Sequence, residues 1–442
     1  MTVLLFIAGV VFVALGIAVS IALHEVGHLL PAKLFNVRVT RYMIGFGPTL
    51  WSRKRGETEY GVKAIPAGGY VAMIGMYPPN PDDGSVRPSS TGMFQTLATE
   101  ARSQAHEDVG PADVGRVFYA LPVWKKIIIM LGGPTMNLLI GIVLTAVLLM
   151  GFGVPVPTTT LAEVNACQVA YGKPAPTDLT TCTKTPAAAA GLKPGDTIQT
   201  FDGRQVTDWN TLTDWIRAAA GKTVELSYLR DGVLHATNVT PVLTARPVLT
   251  SAGQAVTDSS GAAKTIEAGF LGIGATTATV RQPASAVLPM VGQNIAQVGG
   301  IVFNLPAKLV GVAKAAFSSE PRDPNGPISV VGVGRVAGEV AAMEDVPFSA
   351  RAATLVSLLG GVNLALFVFN LIPLLPLDGG HVLGALYEGA RRRIAKLFKR
   401  RDPGPFDIAK MLPVTYVVAS VLIVMSVLLI YADIVKPVNI FG

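Results

Sequence analysis

Residues 3–30, VLLFIAGVVFVALGIAVSIALHEVGHLL, form an unbroken apolar run that closes on His24-Glu25-Val26-Gly27-His28. Crossing a bilayer takes about 20 helical residues, so the run reads as a membrane span with three ionisable side chains inside it. A signal peptide is the competing reading. It fits poorly, because the run lacks a basic flank ahead of it, is too long, and carries His and Glu where a plain apolar core is needed. On a helix, His24 and His28 stand one turn apart on the same face, so both can reach one metal ion. Glu25, beside the first histidine, is placed to take a proton from water held there. Ionisable side chains inside a span each cost about 2.5–3.5 kcal/mol on insertion scales, so three together demand a compensating partner. A metal ion supplies one; a polar cluster hydrogen-bonded between helices is the metal-free alternative.

The surrounding chain has the composition of a membrane protein. Its 442 residues have a mean hydropathy of +0.48 and only 15% are charged, against about 25% in an average soluble domain. Apolar segments at 127–153, 352–377 and 411–432 bring the expected spans to four. The net charge of +7 gathers in runs beside apolar segments (Arg53-Lys54-Arg55, Lys125-Lys126, Arg391-Arg392-Arg393, Lys399-Arg400-Arg401). Such runs mark cytoplasmic flanks of spans and call for no nucleic acid. The basic loops 31–126 and 391–410 are therefore expected in the cytoplasm, and the charge-balanced stretch 154–350 outside with both termini. Phe118, Tyr119 and Trp124 fit an interfacial belt before the second span, although such residues also serve as core.

The expected division is a first transmembrane helix within 1–33, a cytoplasmic loop over 34–122 and a second helix over 123–154. An outer domain over 155–245 and a linker with a membrane-surface segment over 246–350 follow. A third helix over 351–380, a basic loop over 381–410 and a fourth helix over 411–433 complete the chain. Within the outer domain, residues 186–241 read as an α+β unit. Alanines 187–190 make a short helix ended by Gly191, and Thr197–Phe201 an alternating strand closed by an Asp202-Gly203 turn. A helix from Trp209 to Ala220 and a strand pair around Arg230-Asp231-Gly232 follow. Residues 244–276 are polar and weakly patterned, while 282–318 fit a segment along the membrane surface. Cys167 and Cys182, the only cysteines, both fall outside, where an oxidising compartment favours a disulfide over two thiols.

A catalytic zinc takes three protein ligands and leaves one position for water. Of the remaining histidines, His106 and His235 lie in hydrophilic stretches. The best third ligand is Asp378, in Asn370-Leu371-Ile372-Pro373-Leu374-Leu375-Pro376-Leu377-Asp378-Gly379-Gly380-His381. Prolines in a span free backbone groups that only protein or a wet cavity can satisfy, which places this break beside a site. His381 is the rival ligand; its place near the interface favours a supporting or capping role. Affinity alone would favour copper over zinc, so the pattern does not by itself name the metal.

These paired motifs closely resemble the site-2 protease family of intramembrane metalloproteases. Gly45-Phe46-Gly47-Pro48 and Pro66-Ala67-Gly68-Gly69-Tyr70-Val71 look like its cytoplasmic membrane-associated β-sheet. Gly115-Arg116-Val117-Phe118-Tyr119 and Gly133-Pro134-Thr135-Met136-Asn137 look like its approach to the second span and the Gly-x-x-x-Asn inside it. Ala190-Gly191-Leu192-Lys193-Pro194-Gly195-Asp196 looks like its PDZ domain, and Gly326-Pro327-Ile328 like a segment before the third span. The resemblance implies an α-helical membrane protein with four transmembrane helices, that sheet, and one extracytoplasmic α+β PDZ domain, in a bacterial inner membrane. It implies Zn2+ on His24, His28 and Asp378, Glu25 as the catalytic base, and Asn137, Asn370 and Pro373 on the substrate side. The asparagines could instead join spans. Implied substrates are single-pass membrane proteins already trimmed elsewhere, such as anti-sigma factors, or signal-peptide remnants, filtered or bound through the PDZ domain. The chain departs from the family in having one PDZ domain where several relatives have two. An insert at 167–185 and a loop at 77–110 also fit no family pattern. A membrane-tethered protease working in water and a PDZ scaffold are the rival readings.

Overall fold

A computed structural model describes residues 2–76, 78, 113, 115–169, 182–248, 256, 263–320, 322–323 and 326–438. The 77–110 loop apart from Pro78, with His106 in it, and most of the insert between the cysteines lie outside these residues. The elements begin with α1 (Thr2–Leu34), β1 (Val39–Arg55), β2 (Thr58–Met73), α2 (Val123–Ala146), β3 (Val154–Val164), α3 (Pro186–Ala189), β4 (Thr197–Phe201), β5 (Arg204–Gln205) and α4 (Trp209–Ala218). They continue with β6 (Val224–Arg230), β7 (Val233–Val239), β8 (Val242–Pro247), β9 (Thr265–Phe270), β10 (Ile273–Val280), α5 (Val287–Phe303) and α6 (Leu305–Phe317). Last come α7 (Val330–Ala342), α8 (Phe348–Asn370), α9 (Asp378–Leu397) and α10 (Leu412–Val435). The chain divides into two units, Met1–Phe152 with Gln282–Gly442, and Gly153–Arg281.

The first unit is a helical membrane body. Five helices are long and apolar enough to cross a bilayer: Thr2–Leu34, Val123–Phe152, Ala284–Phe303, Phe348–Asn370 and Leu412–Val435. Four were expected. The addition, Ala284–Phe303, has a mean hydropathy of 1.4 against 2.0–2.8 for the others. Gly292, Gln293, Asn294, Gln297, Gly299 and Gly300 dilute its apolar signal. A second difference concerns the third span: α8 stops at Asn370, and Asp378 opens a separate 20-residue helix where a basic loop was expected. The basic run reads as a charged flank of a span, although Arg and Lys are good helix formers and their apolar neighbours recur at helical spacing.

Small residues set how closely these helices approach. A Cβ on Gly132 of α2 would collide with the carbonyl oxygen of Gly27 in α1, and one on Gly141 would come 2.5 Å from Leu364 of α8. Asn363 of α8 donates to Ser20 Oγ of α1 at 3.0 Å, a polar contact between two buried residues.

β1 and β2 fold against the end of α1. Residues 41–44 each have two partners, one within 59–62 and one within 69–73, so they form the centre of a small sheet. The Tyr42 hydroxyl donates to the Ala22 carbonyl at 2.8 Å and Lys33 donates to Tyr60 at 2.7 Å, fixing the sheet to α1. Leu29, Ala32, Val37, Val39, Phe118, Ile129 and Met130 form the apolar contact beneath it.

The second unit has a sheet in the order β10-β3-β4-β6-β7, with β5 on β4 and a separate β8-β9 pair. Its core is built from Leu161, Leu192, Ile198, Phe201, Leu212, Ile216, Leu226 and Leu271. Asp208 caps α4 by accepting from the Thr211 N–H at 2.8 Å. The unit extends past the boundary expected at 245. Residues 265–280, read as linker, supply β9 and β10, and β10 pairs with β3 from Ile273–Val164 to Val280–Val154. Alanine, threonine and glycine in IEAGFLGIGATTATV weaken the alternation that marks a strand. Cys167 and Cys182 are disulfide-bonded, with Cα atoms 5.6 Å apart.

Candidate active site

Three segments far apart in sequence meet at the end of α1. The first is the pair His24 and His28, whose Nε2 atoms lie 3.2 Å apart. The second is α2, brought close by Gly132 and Gly133: a Cβ on Gly133 would stand 2.6 Å from His24 Nε2 and collide with His28 Nε2. The third is the break between α8 and α9. There Leu374 N–H donates to Ile372 O at 2.7 Å and Leu377 N–H to Leu374 O at 2.9 Å, folding the proline-containing segment into tight turns. A Cβ on Gly379 would reach the Leu371 carbonyl oxygen at 2.5 Å, so only glycine lets this segment lie across the start of α9. Asp378, the first residue of α9, is thereby held against the histidines.

Asp378 Oδ2 lies 3.3 Å from His24 Nε2, and Oδ1 lies 3.4 Å from His28 Nε2. Tetrahedral zinc with bonds of about 2.0–2.1 Å separates its ligand atoms by about 3.4 Å. The three observed separations match that spacing. His28 Nδ1 meets the Ile129 carbonyl at 2.7 Å, so Nδ1 carries the proton and Nε2 offers a lone pair. Asp378 Oδ2 is a buried oxygen with no hydrogen-bond donor. A cation suits that orphaned acceptor, and the donor set of two imidazoles and a carboxylate suits zinc.

Glu25 is buried beside the cluster, with the sheet closing over it. A Cβ on Gly69 would stand 2.8 Å from Glu25 Cγ and 3.3 Å from Oε1, so β2 runs directly against the carboxylate.

The other candidate residues separate. Asn137 is 1% exposed, and its side-chain amide lies 3.1 Å from His24 Nδ1, bridging α1 and α2. Asn370 is the last residue of α8, and Pro373 lines an apolar cavity of about 440 Å³ with Leu383, Tyr387, Phe406 and Val414. His381 lies outside the converging set, which among the described residues is His24, His28 and Asp378. His235 stacks on Tyr228 in the other unit. Sequence reasoning missed Gly69 and Gly132 as shaping residues. The signal for Gly132 was present, since paired glycines inside a span mark close backbone approach.

A family model described as Peptidase family M50 matches residues 12–401. This chain belongs to that family. It is the site-2 protease family that the paired motifs resemble. Among its relatives is zinc metalloprotease Rip1 of Mycobacterium tuberculosis, 32% identical over 450 aligned positions that span 99% of this chain and 100% of the relative. Rip1 of Mycolicibacterium smegmatis is 33% identical over 460 positions, with the same coverage. Metalloprotease MmpA of Caulobacter vibrioides is 28% identical over 386 positions, 85% of each chain.

Proposed function

We propose that this M50 peptidase is an intramembrane zinc metalloprotease that cleaves single-pass membrane proteins, with His24, His28 and Asp378 as ligands and Glu25 as proton carrier. The observation that supports it most is the convergence of two imidazoles and a carboxylate beside a buried glutamate, on helices apolar enough to lie in a membrane. Bound zinc lowers the pKa of water to about 7 and polarises a carbonyl. The chain's own residues do the rest. Ile129 O holds the His28 tautomer, and burial keeps Glu25 poorly hydrated and ready to accept a proton. Glu25 then returns that proton to the leaving amine. An unwound substrate needs partners for its freed backbone groups. The 69–73 segment, paired with 41–44 and ending beside Glu25, offers a strand for it to extend. The second unit acts as a PDZ domain that contacts or filters substrates, which we take to be anti-sigma factors or signal-peptide remnants.

Four crossings in a bacterial inner membrane fit the helix directions. α8 runs parallel to α1, since Leu359 packs on Gly16 and Asn363 on Ser20, while α2 runs against both. The chain therefore leaves α2 and enters α8 on one membrane face, so the intervening crossings are even in number. α6 and α7 have 13 residues each, about 20 Å of helix against about 30 Å of hydrocarbon. Ala284–Phe303 has no partner crossing among the described residues, so it does not span alone. Both termini then lie outside and the site opens toward the cytoplasm.

The test is cleavage of a tagged single-span substrate by purified full-length protein, with zinc measured on each variant. Glu25→Gln should retain zinc and lose cleavage by about 100-fold or more, whereas Asp378→Ala should lose both. Equal zinc and equal cleavage in all three proteins would sink the assignment.

A further inference from the structure

Helix α9 has two unlike faces. Gly380, Gly384, Ala385 and Glu388 face inward and are buried. Leu383, Leu386, Tyr387, Ile394 and Leu397, with Phe398 just beyond the helix, are 50–78% exposed. With exposed Ala390 between Tyr387 and Ile394, they recur at helical three- and four-residue spacing, which makes one continuous apolar stripe. The roll of the helix is fixed by its buried side. Glu388 Oε2 accepts from Lys126 Nζ at 2.8 Å and from the Phe406 N–H at 3.0 Å, and Arg392 pairs with the same carboxylate at 3.1 Å. The stripe is therefore held outward.

Beside it stands an unusual concentration of charge. Arg393, Lys396, Lys399, Arg400 and Arg401 are exposed and make no ion pair among the described residues. The nearest acid in sequence, Asp402, engages Arg392 instead. Position completes the picture: α9 lies within the connection between Asn370, the end of α8, and Leu412, the start of α10. A connection between successive spans begins and ends at one membrane face. Water is the wrong solvent for the stripe and hydrocarbon the wrong one for the five cations; the headgroup boundary accommodates both.

We propose that α9 lies in the membrane interface as a docking surface for anionic phospholipid. Its stripe sits among upper acyl segments, and Arg393, Lys396, Lys399, Arg400 and Arg401 engage lipid phosphates. The pairing of a fixed apolar stripe with unneutralised cations selects an anionic leaflet over a neutral one. This placement does not depend on the role given to Glu25.

The experiment uses the full chain carrying Leu397→Cys, where the disulfide leaves the new thiol as the only reactive one. A fluorophore on that thiol is read in vesicles containing lipid spin-labelled near the glycerol, made from phosphatidylcholine alone or mixed with phosphatidylglycerol. Quenching should be strong in the mixed vesicles and several-fold weaker in phosphatidylcholine. High salt should abolish the difference. Neutralising Arg393, Lys396 and Arg400 to Gln should lower interfacial occupancy by about fivefold per charge. A label that stays in water in mixed vesicles would overturn the proposal. So would quenching indifferent to lipid charge and to the three substitutions. Cross-linking of the introduced thiol between two copies would also overturn it, by making the stripe a chain-to-chain contact.

Discussion

His24 can bind metal through Nε2 only if Nδ1 keeps its proton, and a proton in that buried place needs an acceptor. Asn137 stands at the right spot, its amide 3.1 Å from Nδ1, and its Oδ1 has no donor of its own. The amide orientation that turns Oδ1 to Nδ1–H satisfies both groups at once. We propose on this contact that Asn137 orients His24 rather than touching substrate. Asn137→Leu should weaken zinc retention by about 10- to 100-fold, and Asn137→Asp, which keeps an acceptor, should restore most of it. Competition with a chelator measures this; a Leu variant that holds zinc like the wild type would return Asn137 to a substrate role. That His24, His28 and Asp378 would lie together was legible in the sequence, because ionisable residues in apolar surroundings demand a compensating partner. The partner of Asn137 was not legible. Helical spacing fixes geometry within α1, but which side of α2 meets it depends on the contact between Gly27 and Gly132, residues 105 positions apart.

At the level of elements, α9 carries Asp378 at its first turn and Glu388 on its buried side, so one helix joins the site to the foot of α2. Lys126 and Glu388 are 5% and 2% exposed, and a pair so buried is sensitive to the loss of one partner. Removing one charge from such a pair costs about 3–5 kcal/mol, whereas replacing both with apolar groups of similar volume is often neutral. Glu388→Ala should therefore lower the melting temperature in detergent sharply, and the double replacement Lys126→Met with Glu388→Met should recover the part due to a bare Lys126, leaving the part due to Arg392 and the Phe406 N–H. Equal melting of the single and double variants would show that the pair is not coupled. In the second unit, the turn before β4 depends on Asp196. Burial would raise its pKa, but hydrogen bonds from Arg230 and the Lys193 N–H outweigh that and hold it below the ordinary carboxylate range. A lowered folded pKa gives stability that is complete above the unfolded value of about 4 and is lost as pH falls through the folded value. Amide exchange in β4 and β6 of the full chain should accelerate below about pH 4, and Asp196→Asn should flatten that response. An unchanged acid profile in Asp196→Asn would rule this carboxylate out as the cause.

For the whole molecule, the sequence conveyed the order of parts better than their edges. The strand and turn at 197–203 and the pair around 230–232 stood out because turn chemistry and alternation agree there, while β9 and β10 were lost in small residues whose pairing with β3 is long-range. The same dilution makes Ala284–Phe303 ambiguous by composition, and only the directions of other helices decide how it can be used. With α1 and α8 parallel and α2 opposed, positions just after Phe152 and just before Phe348 must share a side. Reporter domains inserted at 282 and at 345 should therefore report the same compartment, and one inserted after Arg401 the opposite one. Lys and Arg dominate the connection around Arg401, so that compartment should be the cytoplasm. If the reporters at 282 and 345 disagreed, an odd number of crossings would separate α2 from α8. Asp378 would then face the opposite side from His24 and His28, and the three could not share an ion.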